Sequence, residues 1–201
     1  MPVRIRDAHP TDLPDLYRIC RQTSGGAAPV PPPVSDPDLV GQVFVAPYLF
    51  FEPRCCLVAQ TGTTLLGYVV GTSDSLGFAG WMESKWLPAV RGRIPSSIEP
   101  LSDHEGWLRK IVRTPDPVPA FAADYPAHLH INLLPEARGT GLGRELIHTL
   151  LRRLTESDIP GIHLGVARAN EPAIGFYRAM GFDTVLAEDS GGLNLGRTLP
   201  A

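Results

Sequence analysis

Hydrophobic periodicity divides the first half of the chain into short strands and helices. Val3–Arg6 alternates apolar and polar residues, as a strand does, and Thr11 begins a pattern with helical spacing. Asp38–Pro47 carries apolar residues at helical intervals and predicts a second helix. The apolar runs Cys55–Gln60 and Leu65–Gly71, separated by a short polar turn, predict an antiparallel hairpin.

The second half of the chain alternates strands and helices more regularly. The predicted elements are the strand His128–Leu134, the amphipathic helix Gly141–Ser157, the strand Ile162–Ala167, the helix Asn170–Met180, and the strands Phe182–Ala187 and Gly192–Thr198. Gly181 follows the last helix at the position where glycine commonly ends one. This order predicts an α/β fold in which helices pack on a mixed central sheet.

Composition narrows the classes of function. The chain has 201 residues, of which 43% are hydrophobic and 19% charged, and these values are typical of one globular domain. The net charge of −3 disfavours a dedicated nucleic-acid binder, and no apolar run approaches the roughly 18 residues of a membrane span. Cys20, Cys55 and Cys56 have no metal-ligand spacing, so we expect no metal site and a reducing, cytoplasmic location. Arginine outnumbers lysine 16 to 2, which suggests a GC-rich bacterial source.

The segment from Leu133 to Arg144 carries the most informative chemistry. It leads from a strand through a turn with glycine at positions 139, 141 and 143, and the turn opens a helix. Glycine lets the backbone approach a ligand closely, and the free amides at a helix N-terminus attract an anion such as phosphate. The alternative is a plain strand–helix turn. No Gly-Lys-Ser/Thr follows, which excludes a Walker A loop, and the spacing departs from a dinucleotide-binding fingerprint.

The spacing Arg-x-x-Gly-x-Gly in this turn resembles motif A of the GNAT acyl-CoA N-acyltransferases, which cradles the pyrophosphate of coenzyme A. The resemblance implies that acetyl-CoA is the co-substrate and that Leu133 and Leu134 offer backbone groups to its pantetheine arm. The pyrophosphate would then lie on the backbone of Arg138, Gly139, Thr140, Gly141, Leu142, Gly143 and Arg144.

A second motif lies farther along the chain. Asn170–Tyr177, continued by Gly181-Phe182, resembles the family's Asn-x-x-Ala-x-x-Phe-Tyr-x-x-x-Gly-Phe. Asn170 can cap the helix whose first turn contains proline. By the resemblance, Asn170 and Ala173 contact the CoA arm, and the Tyr177 hydroxyl protonates the departing thiolate. Core packing is the alternative for the aromatic pair.

The resemblance to the GNAT fold covers the chain except for Asp74–Pro126. Ordinary members join the third and fourth strands with a much shorter connection, so we expect one domain over residues 1–201 with an insertion at 74–126. Four segments resemble the acetyltransferase-like domain attached to eukaryotic O-GlcNAcases: Lys85–Pro88, Ile98–Trp107, His128–Leu133 and Leu195–Leu199.

Direct acetyl transfer needs a neutral amine, a polarised thioester carbonyl and an acid for the thiolate. A backbone amide of the strand at 129–133 is expected to hold the carbonyl. His128, His130 and Asn132 share one face of that strand, and histidine is suited to take an ammonium proton directly or through water. Asp124 and His163 are further candidates. Ordinary polar strand residues are the alternative interpretation, and the identity of the base stays open.

The sequence says less about the acceptor. The proline-rich segment Ser24–Pro37 and the insertion should frame its entrance. The insertion contains Trp81, Trp86 and Trp107, for which local core packing is the favoured interpretation. It also contains acidic residues such as Glu105, which would suit a cationic amine but which a solvated face explains equally well. We predict an acetyl-CoA-dependent N-acetyltransferase acting on a primary amine of a small molecule or peptide. The alternative is a non-catalytic CoA- or peptide-binding module. No nucleic-acid or membrane partner is expected, and a homodimer is allowed.

Overall fold

One mixed sheet organises the molecule. The computed structural model describes residues 2–24, 31–94, 98–188 and 191–200. Its strands are β1 Val3–Asp7, β2 Leu57–Thr61, β3 Thr64–Thr72, β4 Ala127–Leu133, β5 Gly161–Ala167, β6 Thr184–Glu188 and β7 Gly192–Thr198. They lie in the order β1-β2-β3-β4-β5-β7-β6, and every neighbouring pair is antiparallel except β4 and β5. The predicted mixed α/β sheet is confirmed.

Helices cover both faces of the sheet. They are α1 Leu13–Thr23, α2 Leu39–Phe44, α3 Ala46–Phe51, α4 Ser75–Trp81, α5 Leu87–Arg93, α6 Asp103–Arg113, α7 Leu142–Thr155 and α8 Glu171–Ala179. In the described part of the chain, none of them combines the length and the apolar character needed to cross a bilayer.

The prediction of a single helix over Asp38–Pro47 is wrong. The helix breaks at Val45, whose φ of −134° and ψ of −68° are not helical, and α3 begins immediately afterwards. Pro47 has no N–H to donate to the preceding turn, so an uninterrupted helix would lose a hydrogen bond and clash with that turn. The break redirects the chain and buries Tyr48 and Leu49 in the core.

Alternation along the strands separates two hydrophobic layers. Leu57 and Val69 face α7, whereas Val58 and Tyr68 face the layer that contains α1 and α2. The predicted amphipathic helix is confirmed as α7, since its apolar residues are all buried: Leu142, Leu146, Ile147, Leu150, Leu151 and Leu154. Burying a side chain of this size stabilises the fold by about 1.5–3 kcal/mol.

The connection between β3 and β4 is helical and packs on the α1 side of the sheet. It contains α4, a π-helical turn at Met82–Trp86, α5 and α6. Phe78, Leu87 and Leu108 bury it in the core, and the Trp86 Nε1–H donates to the Gln42 carbonyl at 2.8 Å. This segment therefore shares the hydrophobic layer that contains α1 and α2.

Glu105 on α6 is a structural carboxylate. It is fully buried, accepts hydrogen bonds from the Ser35 and Leu101 N–H groups, and pairs with Arg109 at 2.8 Å. Burial works against its charge, but these donors outweigh burial and lower the pKa of Glu105 to about 2. It fastens the segment at 31–38 to α6 and does not contribute to an open acidic surface.

Candidate active site

The cleft between β4 and β5 forms where the two strands part. Their parallel ladder contains Ala127↔Ile162 and His128↔His163, whereas β4 stays paired with β3 as far as Leu133. Residues 129–133 of β4 and 165–167 of β5 line a cavity of about 840 Å³. This volume lies in the range of small-molecule sites.

The β4 backbone presents free polar groups to this cleft. The Leu134 N–H donates to the Leu66 carbonyl at 2.9 Å, on the β3 side. Peptide groups alternate direction along a strand, so the N–H and C=O groups of Leu129, Ile131 and Leu133 point towards β5. The Leu129 N–H still belongs to the ladder, because the parallel pair His128↔His163 joins it to the His163 carbonyl, and the Leu133 carbonyl accepts from Arg138. The groups of Ile131 and the N–H of Leu133 lie beyond the ladder and can bind a ligand chain. Leu134 is buried and points the other way.

The turn between β4 and α7 uses glycine where other residues would be strained. Gly139 has a φ of +74° and Gly141 a φ of +88°, values that favour glycine. Gly141 directly precedes the first residue of α7, so the free amides of that helix face the same end of the cleft. Arg138 and Arg144 line the cavity there, and the Arg138 Nε–H donates to the Leu133 carbonyl at 3.3 Å. The arrangement is suited to a phosphate-type anion.

Thr140 and Leu142 contribute to this turn differently. The Thr140 hydroxyl donates to the Ala137 carbonyl at 2.6 Å, which ties the turn to itself. The Leu142 side chain is buried against the sheet. Neither side chain is among the described residues that line the cavity, so these two positions can meet a ligand only through the backbone.

Helix α8 closes the other side of the cleft. The Asn170 side chain caps it by accepting from the Ala173 N–H at 3.4 Å, as predicted for a capping asparagine. Asn170, Ala173 and Phe176 all line the cavity. A Cβ at Gly143 would lie 3.0 Å from Leu133 and 3.3 Å from Phe176, so glycine lets α7, β4 and α8 approach one another.

Tyr177 contributes a phenol to the lining of the cavity. It lies on α8 and lines the cleft, with its ring packed against Phe176 and Phe182. Burial raises the pKa of Tyr177 to about 12. The phenol therefore keeps its proton at neutral pH and can donate it to a leaving group inside the cavity.

Both ring nitrogens of His128 form hydrogen bonds. The Ser75 hydroxyl donates its proton to the Pro126 carbonyl at 2.6 Å, so it accepts from His128 Nδ1 at 2.7 Å. His128 Nε2 then accepts from the buried Tyr48 hydroxyl at 2.8 Å. Burial, together with neighbouring His130 and His163, lowers the pKa of His128 well below its ordinary value. His128 is not among the described residues that line the cavity.

His130 and Asn132 reach the cavity from the same face of β4. The His130 ring meets Phe44 edge-on at 5.0 Å and Tyr48 at 5.6 Å. Burial and the neighbouring His163 lower the pKa of His130 to about 4, so the imidazole is neutral at pH 7. The Asn132 amide donates to the Tyr68 hydroxyl at 2.8 Å, which fixes its orientation.

The two further base candidates lie elsewhere. Asp124 is exposed at the end of a 3₁₀ turn that precedes β4. His163 is buried on β5, and its Nδ1 donates to the Tyr125 carbonyl at 2.7 Å. Neither is among the described residues that line the cavity.

Several residues that build the site escaped the sequence analysis. Thr23 at the end of α1 and Gly165–Ala167 of β5 line the cavity. Gly165 could have been predicted as a site residue, since a glycine within a strand often marks a close approach of backbone or ligand. Nothing in the sequence connects Tyr48 and Ser75 with His128, because these contacts join segments that are distant in the chain.

The charges in the cavity are concentrated at its glycine end. Arg138 and Arg144 line it, whereas the described residues around it include no Asp or Glu. Within the described part of the chain, no group of His, Cys, Asp and Glu side chains could hold a metal ion.

Comparisons with known proteins agree with this geometry. A family model described as "Acetyltransferase (GNAT) family" matches residues 103–182. The crystal structure of SsHAT has a TM-score of 0.89 and 35% identity, with 99% of both chains covered. The structure of PaiA N-acetyltransferase from Thermoplasma acidophilum in complex with coenzyme A has a TM-score of 0.59 at 16% identity, over 98% of this chain and 99% of that one.

A more distant relation links the chain to a larger protein. Protein O-GlcNAcase from Rattus norvegicus is 23% identical over 180 residues, which make up 88% of this chain and 20% of that protein. The chain therefore spans about a fifth of the length of this curated relative. The family model covers β4, the glycine turn and the two helices of the cleft, and the relation to SsHAT extends over nearly the whole chain. This protein is a member of the GNAT family of acetyltransferases.

Proposed function

We propose that the protein is an N-acetyltransferase that moves the acetyl group of acetyl-CoA directly to a primary amine. The observation that carries this proposal is the cleft between β4 and β5, which has the glycine turn at one end and Tyr177 in its lining. The acceptor is the amine of a small molecule or of a protein lysine.

The cleft suits an extended acyl-CoA chain. In the proposal, the backbone amides between Arg138 and Arg144 hold the pyrophosphate, at the turn where Gly139 and Gly141 have positive φ. The cleft-facing groups of Ile131 and Leu133 take the pantetheine arm in the manner of an added strand. Asn170 and Ala173 cover it from the α8 side.

In the proposed transfer, each reacting group is assigned a partner from the cleft. The amine nitrogen attacks the thioester carbonyl carbon, the C–S bond breaks, and the Tyr177 hydroxyl gives its proton to the sulfur. The negative charge that develops on the carbonyl oxygen is stabilised by the cleft-facing N–H of Ile131, which lies beyond the last β4–β5 pair. The amine loses its proton towards His130, directly or through water, and Tyr177 recovers one from solvent.

We assign the base role to His130 and a positioning role to His128. A primary alkylamine has a pKa near 10.4 and reaches the site largely protonated, so it must lose a proton. His130 is neutral and lines the cavity, whereas both nitrogens of His128 are already engaged. Because its pKa is about 4, His130 is too weak a base to deprotonate the ammonium ion itself. The neutral fraction of the amine attacks, and His130 takes the proton that the nitrogen releases after attack, directly or through water.

One observation favours a second candidate function. The described residues around the cavity include no carboxylate, and the histidine that lines it is a weak base. A module that binds acyl-CoA without turnover would need the glycine turn and the backbone groups of β4 but neither Tyr177 nor His130.

Two further parts of the proposal concern the cellular compartment and the domain organisation. A reducing compartment such as the cytoplasm is supported by Cys20, Cys55 and Cys56, which are buried and form no disulfide. We propose that the chain forms one domain, with residues 74–126 as an insertion between β3 and β4, because that segment packs into the same hydrophobic layer as α1 and α2.

Release of CoA across a panel of amines tests the proposal. The panel contains unbranched alkylamines, polyamines, amino sugars and lysine peptides, and wild type is compared with Tyr177→Phe. We expect the variant to bind acetyl-CoA normally and to lose at least a hundredfold in kcat, a typical contribution of a general acid. Tyr125→Phe, outside the described cavity lining, is the matched control and should keep full activity.

The outcomes separate the two candidate functions. Saturable binding of acetyl-CoA with no release of CoA on any amine supports the module and opposes the enzyme. An unchanged kcat in Tyr177→Phe removes the tyrosine from the acid role.

A further inference from the structure

The proposed transfer uses His130 but gives no role to its neighbour Asn132. Both side chains line the cavity, and alternation along β4 places them on the same face. Residues two apart in a strand are separated by about 7 Å, so a small group lying between them can contact both. A nitrogen that reaches His130 is therefore within range of the Asn132 amide.

Tyr68 fixes the direction of this amide. Tyr68 is fully buried and lies opposite Asn132 in the β3–β4 ladder, and its hydroxyl accepts from Asn132 Nδ2 at 2.8 Å. The same hydroxyl donates its one proton to the buried Cys20 thiol. Because that proton is committed, the tyrosine oxygen can only accept from Asn132, which places Nδ2 at Tyr68 and Oδ1 on the other side of the amide.

The Asn132 oxygen is left open to the cavity. Within residues 2–24, 31–94, 98–188 and 191–200, Asn132 Oδ1 accepts no hydrogen bond, and the one buried side-chain polar atom without a partner is His104 Nε2. The Asn132 oxygen is therefore accessible, and its residue belongs to the cavity lining. An amide oxygen accepts hydrogen bonds from N–H groups. The lining thus presents a fixed acceptor beside His130.

His130 supplies a second acceptor. It is neutral at pH 7, and a neutral imidazole has one nitrogen that accepts a hydrogen bond. A neutral primary amine has two N–H donors and one lone pair. When Asn132 Oδ1 and His130 each accept one N–H, the lone pair stays free to attack the thioester carbonyl. Holding the nucleophile in one orientation lowers the barrier, and it does so here without a carboxylate, which the described lining lacks.

We propose that Asn132 aims the attacking amine: its amide, oriented by Tyr68, accepts one N–H while His130 accepts the other. This inference rests on the proposed function and assigns a specificity-determining residue to it. After attack, the N–H held by His130 gives its proton to the imidazole, and the N–H held by Asn132 remains as the N–H of the amide product. A secondary amine has one N–H, which it needs for His130, so it leaves the Asn132 oxygen without a donor.

The number of N–H groups on the amine tests this role. Release of CoA is measured with n-butylamine and N-methylbutylamine in wild type and in Asn132→Leu. We expect the variant to lose about three- to tenfold in kcat/KM for n-butylamine, the range of one hydrogen bond, and little for N-methylbutylamine. The preference for the primary amine should fall by the same factor. Equal losses on both amines, or an unchanged kcat/KM for n-butylamine, overturn the role of Asn132.

Two further variants separate orientation from folding. Tyr68→Phe keeps Asn132 but releases its amide, so the preference for the primary amine should fall part of the way while the Kd for acetyl-CoA stays unchanged. A preference equal to that of wild type would remove Tyr68 from the positioning role. Gln22→Leu removes an exposed amide on α1, outside the described cavity lining, and should change neither constant.

Binding to Asn132 can be followed without turnover by NMR. The chain contains three asparagines and three glutamines, which give six pairs of side-chain amide signals, and Asn132→Leu assigns the pair of interest. The probe is 2,2-difluoroethylamine, whose fluorines withdraw electron density and leave much of it neutral at pH 7.5. In the presence of CoA, it should shift the Asn132 pair saturably and leave the Gln22 and Gln60 pairs in place. Absence of a saturable Asn132 shift, or an equal shift at Gln22, overturns the proposal.

These measurements separate the role of Asn132 from the enzyme. A saturable Asn132 shift with no release of CoA on any amine retains the acceptor at Asn132 and rejects the transferase. Acetylation with the same preference for the primary amine in wild type and Asn132→Leu retains the transferase and rejects the role of Asn132.

Discussion

Replacing Gly141 with alanine tests whether the glycine turn is built for a ligand. Gly141 has a φ of +88° and a ψ of −11° at the residue before α7, and a Cβ placed there would meet no atom within 4 Å. The substitution therefore adds backbone strain and no clash. A non-glycine residue in this left-handed region costs about 1–2 kcal/mol.

The strain can appear in two measurements. If the turn keeps its shape, the free energy of unfolding falls by about 1–2 kcal/mol. If the turn relaxes, the amides between Arg138 and Arg144 no longer converge, and the Kd for acetyl-CoA rises at least tenfold, equivalent to about 1.4 kcal/mol. We expect the two losses together to account for the strain.

Gly175→Ala is the matched control. Gly175 lies inside α8, its φ is not positive, and its Cβ would also meet no atom within 4 Å. Alanine there should stabilise the protein by about 0.5–1 kcal/mol, because it favours the helix and restricts the unfolded chain. Urea unfolding gives the stabilities, and calorimetry gives the Kd. The account of the turn is refuted if Gly141→Ala matches wild type in both measurements, or if Gly175→Ala loses as much as Gly141→Ala.

Three further predictions concern the buried polar groups. The pKa of His130 is about 4 in the folded state and near 6.5 in the unfolded chain, so the unfolded chain binds more protons below pH 6.5. The free energy of unfolding should therefore fall as the pH drops from 6.5 to 4, by about 2 kcal/mol at pH 5. In urea unfolding at several pH values, His130→Gln should flatten this fall, and an equally steep profile in the variant contradicts the assignment. Tyr48→Phe leaves the buried His128 Nε2 without its donor and should cost about 1–3 kcal/mol in thermal unfolding, whereas a loss near zero would show that the hydrogen bond is not needed. Glu105→Gln leaves the buried Arg109 charge uncompensated and should cost about 3–5 kcal/mol in urea unfolding. Glu83→Gln removes the partner of Arg91 at the surface and should leave stability nearly unchanged, and equal losses in the two variants would refute the structural role of Glu105.

Periodicity predicted the elements well wherever one face of an element is buried. The leucines of α7 show helical spacing because each packs against the sheet, and the pattern is therefore visible without the fold. The prediction of one helix over Asp38–Pro47 failed because the apolar spacing continues through Val45, where the backbone leaves the helical conformation ahead of Pro47. Phe182, predicted to begin a strand, lies before β6 as a fully buried residue.

The roles of the histidines could not be separated by sequence. His128 and His130 lie two residues apart in β4, so the alternation of side chains along a strand predicts the same face for both. Their difference comes from Tyr48 and Ser75, which approach His128 from α3 and α4, and from the parting of β4 and β5 after His128. Tertiary contacts of this kind produce no periodic pattern in the sequence.

The tryptophans show the same limit. The sequence places Trp81, Trp86 and Trp107 in one segment but does not show which of them are buried. Trp81 and Trp86 pack on each other, whereas Trp107 faces solvent because α6 presents that side away from the core. Exposure and ring contacts, both properties of the fold, separate the two cases.

Titration of acetyl-CoA into the wild-type protein and into Gly141→Glu, followed by calorimetry, tests the central claim most directly. The variant adds a side chain and a negative charge at the turn that we assign to the pyrophosphate, and its thermal unfolding shows whether it remains folded. We predict saturable binding of one acetyl-CoA per wild-type chain and loss of that binding in the folded variant. No saturable binding to wild type, or equal affinity in Gly141→Glu, would contradict the account.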